Sequence, residues 1–182
     1  VRDTEGNLWI AKFASRQDEY DVGAWEMVAH ELAVKCGLRV PKALSRRYSN
    51  YGTTFLVERF DRDSRGKRKH FVSAMTMLGA SDGAGYDTGT SYLDIAYAIK
   101  QYGISPAIDL KELWKRIVFS IAITNTDDHL RNHGFIVEKG GIRLSPLYDV
   151  NPNPNGTGLA LNIDEYDNSL DFNVAIDASE YY

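Results

Sequence analysis

Leu110, Leu113, Trp114, Ile117, Val118 and Ile121 recur at three- and four-residue intervals, so one face of this stretch is apolar over several helical turns. A face that wide has to be buried, and the stretch predicts a core helix. Asp109 opens it, with Glu112 where a capping box needs its acid. The helix runs straight into the polar loop Asn125-Thr126-Asp127-Asp128-His129-Leu130-Arg131-Asn132. A hairpin follows, with strands from Gly134 to Glu138 and from Ile142 to Ser145 about the turn Lys139-Gly140-Gly141, and Pro146-Leu147-Tyr148-Asp149 leaves it. Helix, loop, hairpin and carboxylate in this order lead to the expectation that Asp127, Asn132 and Asp149 converge in one cleft.

The first part of the chain reads differently. Leu8 to Phe13 has the pattern of a strand. Val22, Trp25, Ala29, Leu32, Ala33 and Cys36 share one face of a helix that Gly37 ends. Val40 to Tyr48 and Thr53 to Phe60 read as a strand pair joined by Ser49-Asn50-Tyr51-Gly52, and Asp61 to Lys69 reads as an exposed charged segment. Tyr92 to Tyr102 reads as a further helix, ended by Gly103. The change from sheet-rich to helix-rich near residue 60 marks a boundary between two lobes.

The 182 residues can form one compact domain or two small lobes sharing a cleft. A formal net charge of −4 gives no electrostatic case for nucleic-acid or membrane binding. No apolar run reaches the roughly 18 residues of a membrane span, and no secretory leader pattern opens the chain. Cys36 is the single cysteine, which excludes a disulfide framework and a CxxC metal site; it is expected to be a small buried hydrophobe. A cytoplasmic setting fits these features. Val1 opens the sequence close to a hairpin and Ala178 to Tyr182 closes it in mid-helix by pattern, so a fragment of a longer protein is expected.

The polar residues suggest a particular chemistry. Asp127 can orient a hydroxyl and take its proton, while Asn132 and Asp149 offer a neutral and an anionic oxygen to a divalent cation. An Asp-x-x-x-x-Asn loop followed by a later Asp is how protein kinases organise phosphoryl transfer from a magnesium nucleotide. Lys12, in Ile10-Ala11-Lys12, stands where the phosphate-binding Lys of such proteins stands in its strand, and the next helix offers Glu26 and Glu31 as partners, Glu26 being the better placed. Glu58-Arg59-Phe60 ends the sheet-rich part and is a candidate hinge facing an adenine edge. Asp127 and His129 are the candidate catalytic residues. Asp127, Asp128 and His129 also admit a second reading, a metal-dependent hydrolase. A third reading is a degenerate fold that only binds a partner. His30, His70, Arg46-Arg47 and Lys67-Arg68-Lys69 are expected to be solvated or locally satisfied.

Asn125 to Asn132 resembles the catalytic loop of HipA-type serine/threonine kinases, the toxin halves of bacterial toxin–antitoxin pairs. Tyr148-Asp149-Val150 is similar to their metal-binding segment, Val57 to Arg62 to their hinge, and Trp9-Ile10-Ala11-Lys12-Phe13 to their ATP-lysine strand, with Glu26 at the partner position. The resemblance implies an α+β, two-lobed protein-kinase-like fold, with residues 1–60 as the remnant of an N-terminal lobe and 61–182 as a helical C-terminal lobe. It implies ATP bound by Lys12, Glu26, Glu58, Arg59, Phe60 and Tyr148, and magnesium held by Asn132 and Asp149. A serine or threonine of a protein would be the acceptor, in the family an aminoacyl-tRNA synthetase, and a HipB-like DNA-binding antitoxin the restraining partner. The family's phosphate-covering Ser-Gly-Ala-type loop has no counterpart before Lys12, which leads to the expectation that this fragment is inactive by itself.

Overall fold

The computed structural model describes residues 1–63 and 65–182. The expected charged segment from Asp61 to Lys69 includes residue 64, which lies outside the described residues. The first half holds a three-stranded antiparallel sheet in the order β1-β3-β2, formed by Trp9–Lys12 (β1), Ala43–Ser49 (β2) and Gly52–Glu58 (β3). Pairing sets Lys12 opposite Phe55 and Trp9 opposite Glu58. Helix α1, Val22–Lys35, packs on this sheet. Its N-cap Asp21 also accepts from the backbone and hydroxyl of Thr53, at 2.9 and 2.8 Å, so the cap anchors the helix to β3 as well as starting it.

The expected apolar stripe of α1 is buried only at Ala29 and Ala33. Gly23, Glu26, Ala29 and Ala33 face inward, whereas Trp25 and Leu32 are exposed. Small residues let the helix axis come close to the strands, and Glu26 has to face the cleft, so the large apolar side chains rotate outward. Cys36 is likewise exposed rather than buried, because it caps the helix end one residue before Gly37, which takes a positive φ of 70°.

The second half contains another three-stranded sheet, ordered β4-β5-β6, from His70–Ser73 (β4), Gly134–Glu138 (β5) and Gly141–Leu144 (β6). The hairpin matches its sequence pattern; β4, which continues into the one-turn helix α2 (Ala74–Met77), carries no comparable pattern. Helix α3, Tyr92–Tyr102, has the expected bounds, with a capping box of Ser91 and Asp94. Helix α4, Pro106–Ile123, begins earlier than expected, because Pro106 supplies a helix-ready φ at its first position. Asp109 and Glu112 therefore lie inside the helix, and neither caps it. After a polar stretch come α5, Phe172–Asp177, and a 3₁₀ turn, Ala178–Tyr181.

The larger core joins α3, α4 and the β5–β6 hairpin, with Tyr92, Ile95, Leu113, Ile117 and Phe135 fully buried. A smaller one crosses the chain midpoint, packing Ala29, Ala33 and Leu38 against Phe119, Leu147 and Val150. No helix among the described residues is long and apolar enough to cross a membrane.

Gly23 shows how close α1 and β3 lie, since a Cβ added there would overlap the Thr53 carbonyl. Gly23→Ala is expected to lower stability by about 1–3 kcal/mol despite alanine's better helix propensity, as overpacking does. Urea denaturation checks this; a stability gain would mean that the helix has room to move.

Candidate active site

Lys12 stands at the end of β1 and Glu26 on the inner face of α1, and the strand–helix packing brings them together. Lys12 Nζ donates to Glu26 Oε1 and to Asp149 Oδ1, each at 2.5 Å. Asp149 comes from the other half of the chain, so this ammonium group joins the two halves across the cleft. Burial by itself would lower the Lys12 pKa; Glu26 and Asp149 outweigh it and hold the group above the ordinary lysine value. Glu26 is only 3% exposed, and burial raises its pKa against the pull of Lys12. Asp149 adopts φ 57°, a left-handed conformation that Asp tolerates better than most residues. Val150 enters the small core immediately after it.

A cavity of about 410 Å³ opens at this point. It gathers Lys12, Glu26, Glu58, Arg59, Phe60, Tyr148 and Asp149, all of them candidates from the sequence. Its aromatic wall also includes Phe71 of β4, which the sequence did not single out. Phe60 lies 5.6 Å from both Phe71 and Tyr148, centroid to centroid. The Tyr148 hydroxyl donates to the Arg131 carbonyl at 2.7 Å, and burial pushes its pKa well up, so it remains a donor. The Glu58 and Arg59 N–H groups donate to Lys42 O and Leu8 O, both at 2.8 Å, so neither is free to meet an adenine edge. The Arg59 guanidinium turns to Asp61, with contacts of 2.8 and 2.6 Å. As a hinge, this segment would have to use N–H groups from Phe60 onward.

Asp127 does not end α4 itself. The helix stops at Ile123, Thr124 caps it at φ 57°, and Asp127 lies in the turn beyond with its side chain 86% exposed. The backbone beneath that carboxylate is fixed: Asn132 Nδ2 donates to Asp127 O at 2.8 Å, and Asn132 N to His129 O at 2.8 Å. Asn132 is buried, and with its NH2 group so engaged its Oδ1 is the atom left for a ligand. His129 Nε2 lies 3.8 Å from Asp127 Oδ1. Asp127, His129 and Asn132 are not part of the Lys12 cavity wall, which meets the loop at Arg131.

Asp128 points the opposite way. It is 1% exposed and accepts from Tyr92 Oη at 2.8 Å and Ser120 Oγ at 3.2 Å. His133 Nε2 sits 2.9 Å from its other oxygen, close in distance but off the line of a hydrogen bond. With its oxygens occupied inside the core, Asp128 cannot converge with Asp127 and His129 on one cation. Among the described residues, no group of three or more His, Cys, Asp or Glu is placed to hold a metal. Asp149 and Asn132 offer the oxygen donors that magnesium prefers, and a cation there would need phosphate oxygens or water to complete its shell. Asn125, also buried, donates to Ser120 Oγ at 3.3 Å and accepts from Asn151 N at 3.3 Å, tying the Asp127 loop to the Asp149 segment. Asn125, Asp128 and Arg131 stood within the motif already read, but their structural roles could not be separated there from those of its other polar residues.

A small antiparallel sheet with one helix, a Lys–Glu pair reaching an Asp from the far side of a cleft, and an Asp-x-x-x-x-Asn loop set on a core helix together describe a protein-kinase-like fold. The chain belongs to the HipA-like C-terminal domain family, whose profile matches residues 1–180. It is 34% identical over 119 residues to a putative kinase of Haemophilus influenzae, covering 59% of this chain and 35% of that protein. It is 30% identical over 132 residues to the putative kinase Y4mE of Sinorhizobium fredii, covering 69% and 31%. Its fold is similar to that of HipA from Shewanella oneidensis, solved with HipB and operator DNA, at a TM-score of 0.75 and 20% identity over 95% of this chain and 48% of that one. The Helicobacter pylori proinflammatory kinase CtkA matches with a TM-score of 0.68 and 19% identity, over 90% and 66% of the two chains. The chain thus spans about a third of the length of these two sequence relatives.

Burial raises the pKa of Asp128, but His133, Tyr92 and Ser120 outweigh it and hold the carboxyl below its ordinary value. The stability this contributes is present above the unfolded carboxyl pKa of about 3.9 and is lost as pH falls through the lower folded value. Asp128→Asn is expected to be less stable at neutral pH and to show a flatter acid limb below about pH 4. Denaturation midpoints measured across that range check this; an unchanged acid limb would remove Asp128 as its source.

Proposed function

We propose that this chain forms the catalytic part of a magnesium- and ATP-dependent serine/threonine protein kinase of the HipA kind. The observation that carries this reading is the bridge from Lys12 to both Glu26 and Asp149. A lysine between a buried acid and a cleft-facing acid is placed to exchange the second contact for phosphate oxygens. Asp149 and Asn132 would hold magnesium, which when bound neutralises charge on the phosphates. The apolar wall around Phe60, Phe71 and Tyr148 suits an adenine ring.

Asp127, exposed above a fixed backbone, would orient the acceptor hydroxyl. As that oxygen bonds to the γ-phosphorus, the bond to the ADP oxygen breaks and Asp127 takes the hydroxyl proton. His129 lies beside that carboxylate and would help to set its position. The acceptor is a serine or threonine of a protein, with aminoacyl-tRNA synthetases as the class that the family resemblance suggests. The Shewanella neighbour was solved with HipB, which supports a HipB-like protein as partner.

Asp127→Asn is expected to lower phosphoryl transfer by about 10²–10⁴-fold, the usual share of a general base, with nucleotide binding retained. Asp149→Ala is expected to remove the magnesium-dependent part of ATP affinity. Transfer of labelled phosphate and titration calorimetry with and without magnesium separate the two effects. Wild-type transfer by either variant would refute the assignment.

A further inference from the structure

Between β3 and β4 the chain makes a tight loop, residues 61–69, that the nucleotide reading uses only at its base. Its two ends join the cavity wall, through Phe60 and Asp61 on one side and Phe71 on the other. The described backbone of the loop is pinned. Lys69 N donates to Asp61 O at 2.9 Å, Asp63 N to Lys67 O at 3.0 Å and Gly66 N to Asp63 O at 2.9 Å. Asp63 Oδ1 also accepts from Arg65 N and Lys67 N, both at 2.9 Å. Gly66 completes the turn with a φ of 77°.

Charge on this loop is divided unevenly. Both of its acids are engaged, Asp63 in the turn itself and Asp61 with Arg59 at 2.6 Å and Arg62 at 2.5 Å. The cations Arg65, Lys67, Arg68 and Lys69 are all exposed, and among the described residues none of them has a carboxylate within ion-pair distance. Four such charges on one turn contrast with a chain whose formal net charge is −4. Arg62 and Arg68, moreover, face each other across an antiparallel bridge. Like charges in that position repel and lower stability. Arg62 shares the Asp61 carboxylate with Arg59, which leaves Arg68 without relief. An anion lying over the loop would supply it.

We propose that this loop is a docking site for an acidic segment of a partner protein, a short run of aspartates and glutamates. Arginine takes a carboxylate bidentately, and the flanking lysines add point charges that hold its neighbours. Nucleic acid fits less well. Residues 61–69 include no aromatic side chain on which a base could stack. Four cations also fall short of the roughly 6–10 phosphates that a typical protein–DNA contact neutralises. The acidic remainder of the chain opposes a long polyanion, whereas a short segment needs only the local field. Because both ends of the loop belong to the cavity wall, a partner held there sits beside the nucleotide cavity. The inference requires no phosphoryl transfer and so stands apart from the kinase reading.

The probe is a fluorescein-labelled octaglutamate peptide, titrated with the intact protein and followed by anisotropy. Binding is expected to weaken steeply as salt is raised. The double variant Arg65→Glu, Lys67→Glu is expected to raise Kd about tenfold or more, whereas Lys111→Glu, at an exposed position of α4, leaves it unchanged. Arg68→Ser is expected to weaken binding with a melting temperature equal to or above that of the unsubstituted protein, because the repulsion from Arg62 goes with it. No peptide binding by the unsubstituted protein, or equal affinity in the double variant, would overturn the proposal. Tighter binding of a single-stranded oligonucleotide of equal length would overturn it in favour of nucleic acid. A lower melting temperature for Arg68→Ser would overturn the claim that the facing arginines are held for a ligand. Failure to bind magnesium–ATP, measured by calorimetry, would count against the kinase reading alone.

Discussion

Asp109 and Glu112 are carboxylates inside α4, 1% and 6% exposed, and a buried charge without partners costs several kcal/mol. Three arginines from three places in the chain satisfy them. Arg39 reaches Asp109 at 2.7 Å, Arg143 reaches it at 2.9 Å, and the fully buried Arg116 reaches Glu112 at 3.0 Å. The backbone joins in: Arg39 N donates to Glu112 at 3.0 Å and Leu144 N to Asp109 at 3.0 Å. Together these contacts compensate the two buried charges, so this cluster fixes the link after α1 and the end of β6 to one helix.

The position of the cleft follows from that fixation. Leu147 N donates to Arg39 O at 2.7 Å, and Arg116 Nη2 donates to Ser145 O at 2.7 Å. The segment leaving the hairpin is thus held from two sides just before Tyr148 and Asp149. Asp149 arrives within reach of Lys12 in a left-handed backbone conformation that costs energy, and the packed residues on either side, Leu147 and Val150, hold it there. Lys12 in turn is set by strand register and by Glu26. The ammonium–carboxylate bridge across the cleft is the outcome of two separately anchored walls, one on the small sheet and one on α4.

The Asp127 loop shows a division of labour between adjacent residues. Asp128 turns inward and anchors the loop through Tyr92, Ser120 and the nearby His133, which leaves Asp127 free to face solvent over a fixed backbone. Such an arrangement presents an exposed carboxylate without the entropy cost of a mobile loop. The same anchoring places the loop between two cavities, one beside Lys12 and one beside His129.

Local patterns determined much of this protein by themselves. The strand carrying Lys12, the bounds of α3, the β5–β6 hairpin and the Asp127–Asn132–Asp149 order were all legible, because periodicity, turn residues and motif spacing are properties of neighbouring positions. The outward turn of Trp25 and Leu32 on α1 and the place of Asp109 in α4 were misread for one reason: each depends on a partner far along the chain. Gly23 and Glu26 face inward because Thr53 and Lys12 are there, and Asp109 serves as a buried acceptor because Arg39 and Arg143 reach it. The sequence by itself determined which elements form and which residue types could perform the chemistry. Only the tertiary structure decided which carboxylates stay buried and which face the cleft, since burial of a charge is tolerated only where distant partners converge on it.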